Sequence, residues 1–207
     1  VDIIMVRTHD HKEIEELVAS SEVPVINGLT EKFHPCQLLA DMQTFYEEKG
    51  PIEGKRVAWI GDGCNMCNSY INAAKILNFH LKIATPSGFE PDQSTLDLAK
   101  DNVELCDMPG KAVEDCDLVT TDVWSSMGDE GEAEKRKAMF KGYQINRHLF
   151  EKSKPDSIFL HCLPAHRGEE VTSDVIDGSR SKVWPQAHNR LYTSKALIEF
   201  LLKESKP

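Results

Sequence analysis

Hydrophobic and polar residues repeat along this chain with two periods, one typical of buried strands and one typical of amphipathic helices. Short apolar, β-branched runs predict strands over residues 2–6, 23–27, 56–60, 81–84, 118–121 and 158–162. Apolar residues three and four positions apart predict helices over residues 12–20, 34–50, 66–77, 92–102, 130–141 and 187–203. Strands that alternate with helices in this way indicate right-handed βαβ units. The pattern therefore predicts an α/β fold with a parallel sheet flanked by helices.

The segment Lys49-Gly50-Pro51 marks a predicted domain boundary. Glycine closes a helix and proline cannot extend one, so the helix before this segment ends here. The strand–helix series after it is the more regular of the two. We therefore expect a small unit before residue 51 and a larger one after it.

Composition and charge exclude several classes of protein. The 207 residues are 40% hydrophobic and 28% charged, which is ordinary for a globular protein. The net charge of −10 argues against nucleic-acid binding, and no apolar stretch approaches the roughly 18 residues that span a bilayer. The six cysteines lack the density of a secreted disulfide scaffold, so we expect reduced thiols and a cytoplasmic location. The chain opens on Val1 inside a predicted strand, which we interpret as a truncated or processed product.

Three separated segments carry the chemistry: His34-Pro35-Cys36-Gln37, residues 122–128 (DVWSSMG) and His161-Cys162-Leu163-Pro164. Each falls where a strand ends or a helix begins, and such positions converge on the ligand crevice of α/β proteins. His34 and Gln37 are three residues apart and therefore share a helix face. They lie beside a helix N-terminus, where negative charge is favoured, so this segment suits a carbonyl attached to a phosphate.

Other motifs have a simpler interpretation. Gly61-Asp62-Gly63 follows a strand as in dinucleotide sites, but a third glycine and a downstream acid are lacking, which favours a tight turn. Cys64-Asn65-Met66-Cys67 has no second cysteine pair for a zinc site. His9-Asp10-His11 and Ser179-Arg180-Ser181-Lys182 lack the further residues that metal binding or serine catalysis requires. We predict no metal site.

Together the three segments resemble those of the ornithine carbamoyltransferases, which transfer a carbamoyl group from carbamoyl phosphate to L-ornithine. The resemblance covers essentially the whole chain and implies a Rossmann-like ornithine-binding domain plus the C-terminal remnant of a second α/β domain. The implied carbamoyl-phosphate ligands are Arg7, His34, Gln37, Cys162, Leu163 and Arg190. The implied ornithine ligands are Asn65, Asp122, Ser126 and Met127. Catalytic roles are implied for Arg7, His34, Cys162 and Arg190.

The resemblance also implies a reaction in arginine metabolism. The side-chain amine of ornithine attacks the carbamoyl carbon, phosphate leaves as a stable anion, and citrulline forms. Such a departure needs neither metal nor organic cofactor, so none is expected. In the family the cysteine that matches Cys162 lies close to the attacking amine, and Asp122 can also influence the proton of that amine. Which group takes this proton stays open.

The resemblance divides the chain into four parts. Residues 1–33 are the remnant of a carbamoyl-phosphate-binding domain, 34–50 an interdomain helix, 51–189 the ornithine-binding domain, and 190–207 a C-terminal helix that returns towards the first domain. The family's phosphate-gripping Ser-Thr-Arg-Thr-Arg segment does not occur in these 207 residues. We therefore expect this polypeptide alone to be inactive or nearly so. The full-length family enzymes imply a homotrimer, or a multiple of it.

Three alternatives stay open at this point. The first is a carbamoyltransferase for another amine acceptor, which Asn65 and Asp122 would discriminate. The second is a dinucleotide-binding oxidoreductase domain, and the third is a non-catalytic module that binds a small molecule. Competition between amines and a cofactor titration would separate the three.

Overall fold

The computed structural model describes residues 1–125 and 133–204. Its strands are β1 (Ile4–Arg7), β2 (Val25–Leu29), β3 (Arg56–Ile60), β4 (His80–Ala84), β5 (Val103–Leu105), β6 (Leu118–Thr121) and β7 (Ile158–His161). Its helices are α1 (His11–Ser20), α2 (Pro35–Lys49), α3 (Asn65–Leu77), α4 (Gln93–Leu98), α5 (Pro109–Val113), α6 (Ala133–Phe140), α7 (Arg147–Phe150), α8 (Ser173–Ile176) and α9 (Val183–Glu204).

The strands form two parallel sheets. The smaller contains β1 and β2, with α1 as the crossover between them. The larger has the order β5-β4-β3-β6-β7, and all its pairs are parallel. The chain winds from β3 towards β5 and then returns to the other side of β3. The strand order therefore reverses between β3 and β6, where ligands bind in folds of this kind. The predicted α/β fold with a parallel sheet flanked by helices is confirmed.

Both faces of the larger sheet are buried. Val57 and Trp59 of β3 face a core that is shared with α2 and α3, whereas Ala58 and Ile60 face the core beneath α5, α7 and α8. Successive side chains of a strand point to opposite faces, so a strand covered on both sides must be apolar throughout. This explains why the predicted bounds of β3 and β6 agree with those in the structure.

Some elements differ from the prediction. The helix expected over 92–102 ends at Leu98, and the residues after it lead into β5, which the pattern did not predict. Two of the three residues of β5 are exposed, so its sequence carries little apolar signal. The short helices α5, α7 and α8 were also missed. Helix α9 begins at Val183 rather than Ala187, with Pro185 in its first turn, where a missing amide hydrogen costs nothing.

Helix α2 joins the two sheets and packs against α9, α3 and β2. It begins at Pro35, a favourable first residue of a helix, and ends at Gly50 with a φ of 75°. In the part of the chain described here, no helix has the length and apolar character needed to cross a bilayer.

Candidate active site

A cleft of about 1020 Å³ opens at the carboxyl ends of strands from both sheets. Arg7 comes from the end of β1, Thr30 follows β2, Asn65 starts α3, Asp122 follows β6, and Cys162 follows β7. His34, Cys64 and Leu163 also line this cleft. The structure therefore brings the three chemistry-bearing segments to one place. Ser126 and Met127, two of the predicted ornithine ligands, lie outside the described residues.

His34 stands at the N-cap of α2, held by a main-chain hydrogen bond. Its amide nitrogen donates to Ser69 Oγ at 2.8 Å. Burial, followed by the positive charge of Arg190, lowers the pKa of His34 to about 4; Asp122 acts in the opposite direction and Arg7 adds a smaller lowering. The imidazole is therefore neutral at pH 7. Its Nδ1 is buried and has no hydrogen-bond partner among the described residues.

Arg190 reaches this region from α9. Its charge lowers the pKa of His34 and opposes the rise that burial causes in the pKa of the Cys36 thiol, so the guanidinium lies close to the start of α2. Arg190 Nη1 is buried without a partner in the described part of the chain. Buried polar groups are nearly always hydrogen-bonded. The unpartnered His34 Nδ1 and Arg190 Nη1 therefore leave hydrogen-bonding capacity for a polar ligand near the start of α2.

Gln37 lies one turn into α2 and is 3% exposed. Its Nε2 donates to Asp41 Oδ1 at 3.0 Å. Asp41 also accepts from Gln186 Nε2 at 2.7 Å and from Tyr70 Oη at 2.7 Å. Burial raises the pKa of Asp41 to about 6, and these three hydrogen bonds oppose the rise. No pattern in the sequence singled out Asp41, which has the appearance of an ordinary polar residue of a helix.

Asp122 lines the same cleft as His34 and lies beside two thiols. Cys64 Sγ donates to Asp122 Oδ2 at 3.7 Å, and the Val123 amide donates to Asp122 Oδ1 at 2.7 Å. Burial raises the pKa of Cys162 well above its ordinary value, and the nearby Asp122 carboxylate raises it further. Cys162 is therefore a protonated thiol at neutral pH. A thiol in this state can donate a hydrogen bond but cannot accept the proton of an amine.

Asn65 joins the two sheets across the floor of the cleft. Its Nδ2 donates to the main-chain carbonyl of Thr30 at 2.7 Å. One of its two amide hydrogens is thus used in this bond. Arg7, the remaining predicted ligand, is exposed at the end of β1, and its charge helps to lower the pKa of His34.

A buried pair that the sequence reading missed holds the turn after β7. His161 Nδ1 accepts from the Leu163 amide at 2.9 Å, so Nε2 carries the hydrogen that faces Glu170 Oε1 at 3.1 Å. Both side chains are fully buried. Leu163 has a φ of 55°, a conformation that the His161 hydrogen bond helps to fix. The predicted site residues Cys162 and Leu163 are therefore positioned by His161 and Glu170.

Metal and dinucleotide sites find little support here. The ligand atoms of Asp122, His161 and Cys162 lie within 4.8 Å of one another. However, both nitrogens of the His161 ring are already hydrogen-bonded, and the thiol is protonated. In a second group, His166, Glu169 and Glu170, the Glu169 carboxylate pairs with a lysine and Glu170 binds His161.

The glycine turn after β3 also has a packing explanation. A Cβ at Gly63 would lie 2.3 Å from the main-chain nitrogen of Pro91. Glycine is therefore required here by the neighbouring loop. Asp10 of the His9-Asp10-His11 segment has a structural role, since it accepts from Lys12 N at 2.9 Å and caps α1. All six cysteines are free.

Comparison with known proteins gives one consistent family. Residues 53–201 match the family model described as "Aspartate/ornithine carbamoyltransferase, Asp/Orn binding domain", and residues 1–47 match its "carbamoyl-P binding domain". The ornithine carbamoyltransferase of Hydrogenovibrio crunogenus is 51% identical over 99% of this chain and 68% of its own length. That of Nitrosococcus oceani is 54% identical over 98% of this chain and 66% of its own length.

Solved structures agree with these matches. The ornithine carbamoyltransferase from Pyrococcus furiosus superimposes with a TM-score of 0.94 at 48% identity, covering 98% of this chain and 67% of that one. The anabolic enzyme from Campylobacter jejuni gives a TM-score of 0.92 at 36% identity, covering 100% of this chain and 70% of that one. The chain thus spans about two thirds of the length of the proteins it matches.

Proposed function

Because this chain belongs to the aspartate/ornithine carbamoyltransferase family, we propose that it forms the acceptor-binding part and some of the carbamoyl-phosphate site of an ornithine carbamoyltransferase. The complete enzyme converts carbamoyl phosphate and L-ornithine to L-citrulline and phosphate in arginine metabolism. One observation carries the proposal: His34 Nδ1 and Arg190 Nη1 are buried without partners among the described residues, and His34 lines the same cleft as Asp122.

The donors suit the carbamoyl end of the first substrate. A neutral imidazole and a guanidinium beside the N-terminus of α2 stabilise negative charge as it develops on the carbamoyl oxygen. Arg7, at the mouth of the cleft, is suited to the phosphate oxygens, which a guanidinium contacts in a forked geometry. The main-chain carbonyls of Cys162 and Leu163, together with Gln37, accept from the carbamoyl NH2 group.

The acceptor amine lies on the opposite side. Asp122 binds the α-amino group of ornithine, Asn65 contacts its polar backbone end, and Ser126 and Met127 complete this contact. The side-chain amine has a pKa of about 10.4 in water, so it must lose a proton before it attacks the carbamoyl carbon. Because the Cys162 thiol is protonated, it does not serve as the base. The departing phosphate is a stable anion, and the chemistry needs no cofactor.

We also propose the domain division expected from the sequence, with 1–33 and 51–189 as two units that are joined by the helix at 34–50. In the complete enzyme we propose a homotrimer and a cytoplasmic location, which six free thiols favour. Because the Ser-Thr-Arg-Thr-Arg segment does not occur in this chain, we expect little turnover from it alone.

Calorimetric titration with carbamoyl phosphate, followed by ornithine, tests the proposal. We expect carbamoyl phosphate to bind and ornithine to bind more tightly in its presence. Putrescine and aspartate serve as competing acceptors. If either binds more tightly than ornithine, that amine is the acceptor and the proposed specificity for ornithine is wrong. Failure of carbamoyl phosphate to bind at millimolar concentration would refute the proposed site. Citrulline formation at the rate of a complete enzyme would refute the expected inactivity of the chain alone.

A further inference from the structure

Asp41 is a buried acid of α2, one turn beyond the predicted ligand Gln37. It is 1% exposed, and its carboxylate accepts hydrogen bonds from three helices: from Gln37 of α2, Tyr70 of α3 and Gln186 of α9. No described lysine or arginine forms an ion pair with it. The charge of Arg190 acts on Asp41 but no paired cation is in contact with it. Burying such a carboxylate is costly, and an apolar side chain would fill the same space at lower cost. The retained carboxylate therefore calls for an explanation beyond packing.

A carboxylate only accepts hydrogen bonds, so it distinguishes the two ends of a glutamine amide. Gln37 turns its NH2 group to Asp41 Oδ1 at 3.0 Å. Its carbonyl oxygen must then point away from the carboxylate, since two oxygens facing each other would repel. Without Asp41, the amide could rotate and present its NH2 group instead.

Asp41 is also linked through Gln186 to the end of β7. Gln186 Nε2 donates both to Asp41 Oδ1 at 2.7 Å and to the main-chain carbonyl of His161 at 3.2 Å. The residues after His161 are Cys162 and Leu163, whose carbonyls also line the carbamoyl site in the proposed function. A single buried carboxylate thus fixes the Gln37 amide and the end of β7 in one network.

Resting on the proposed function, we propose that Asp41 is a positioning residue that makes the site accept hydrogen bonds from the carbamoyl NH2 group. By holding the Gln37 oxygen towards the substrate, it lets the site select carbamoyl phosphate over acetyl phosphate. The two differ by an NH2 group in place of a CH3 group. The methyl group of acetyl phosphate cannot donate to the acceptors of the site, which lowers its affinity relative to carbamoyl phosphate. If the Gln37 amide rotated, the site would lose one acceptor, and this difference in affinity would become smaller.

The test compares binding of carbamoyl phosphate and acetyl phosphate to the full chain and two variants by calorimetry. The wild type should prefer carbamoyl phosphate, and Asp41→Leu should reduce this preference about tenfold, the effect of one misplaced buried hydrogen-bonding group. Asp41→Asn keeps one oxygen for Gln37 and Gln186 and can turn its NH2 group to Tyr70 Oη, which then accepts. It should therefore keep most of the preference, although it removes the charge.

A second measurement needs neither ligand nor variant. Deuterium exchange of the side-chain amides by NMR should show slow exchange for Gln37, compared with Gln43, whose amide donates to Glu47 at the surface. Equal exchange of Gln37 and Gln43 would overturn the positioning role, as would an unchanged preference in Asp41→Leu or equal loss in both variants. Wild-type protein that binds neither acyl phosphate yet protects Gln37 would instead refute the proposed function and, with it, the role of Asp41 in selectivity.

Discussion

Arg136 pairs through its guanidinium with the carboxylate of Asp62 and donates a second hydrogen bond to the main-chain carbonyl of Trp124. Its guanidinium carbon lies 4.7 Å from the ring centroid of Phe89 and 5.4 Å from that of Phe140. The side chain is only 11% exposed. Arg136 therefore links the loop after β3 to the loop after β6, across the point where the strand order reverses.

Replacement of Arg136 by Met should destabilise the chain by about 2 kcal/mol, because a largely buried carboxylate loses its guanidinium and Trp124 loses a donor. Arg147→Met is the matched control. Arg147 pairs with Glu151 at the surface, where ion pairs contribute little, so its loss should cost no more than about 0.5 kcal/mol. Urea unfolding of both variants measures the difference. Equal costs would show that the link between the loops does not stabilise the fold.

Replacement of Arg190 by Gln should weaken carbamoyl phosphate binding about tenfold to a hundredfold. A charged hydrogen bond to a substrate oxygen typically contributes about 1.5–3 kcal/mol. Lys195→Gln on the same helix removes one positive charge at an exposed position and should leave the affinity within about twofold. Calorimetric titration of both variants gives the comparison. Similar losses in the two would mean that Arg190 acts through overall charge and not through contact.

The pKa of His34 gives a prediction for stability against pH. This pKa falls from 6.5 to about 4 on folding, because of burial and then of Arg190. Between these values the unfolded chain binds more protons, so this contribution to stability is lost as the pH falls from 6.5 towards 4. Urea unfolding at pH 6.5 and 4.5 measures the free energy of unfolding of the wild type and of His34→Gln. The difference between them, wild type minus variant, should fall by about 2 kcal/mol from pH 6.5 to 4.5. A constant difference would contradict the low pKa.

Asp41 should change the stability of the fold with pH in the opposite direction to His34, over a similar range of pH. Burial raises its pKa from 3.8 to about 6, so between these values the folded chain binds more protons. Its contribution therefore favours folding at low pH and is lost as the pH rises from 3.8 through 6. Asp41→Asn, which does not titrate, should become more stable relative to the wild type over that interval. Urea unfolding at pH 4.5, 5.5 and 7 measures this trend, and a flat difference would show that Asp41 stays ionised throughout.

The elements predicted well from the sequence were those buried on both faces. Strands β3 and β6 have the predicted bounds because the residues within each strand are mostly apolar. The exceptions are Arg56 at the start of β3 and the two threonines at the end of β6. By contrast, β5 lies at the sheet edge and is mostly exposed. Hydrophobic patterning reports burial, so a short exposed strand leaves almost no pattern to read.

The sequence predicted the residues proposed to contact the ligands but not the residues that hold them in position. His34, Asp122 and Cys162 stand at strand or helix ends, where the sequence marks them, and the structure places them around one cleft. Asp41 and Glu170 were missed because their partners are set by tertiary contacts. Asp41 binds a glutamine 145 residues away, and no local spacing encodes that contact.

The residues in and around the cleft are synthesised at different times as the chain is translated. Arg7, His34 and Asp122 leave the ribosome before α9, which carries both Gln186 and Arg190. Until α9 docks, Asp41 lacks one of its hydrogen-bond donors and His34 lacks the neighbouring charge of Arg190. If the proposed function holds, a growing polypeptide completes these parts of its carbamoyl-phosphate site only after α9 has been made and has docked.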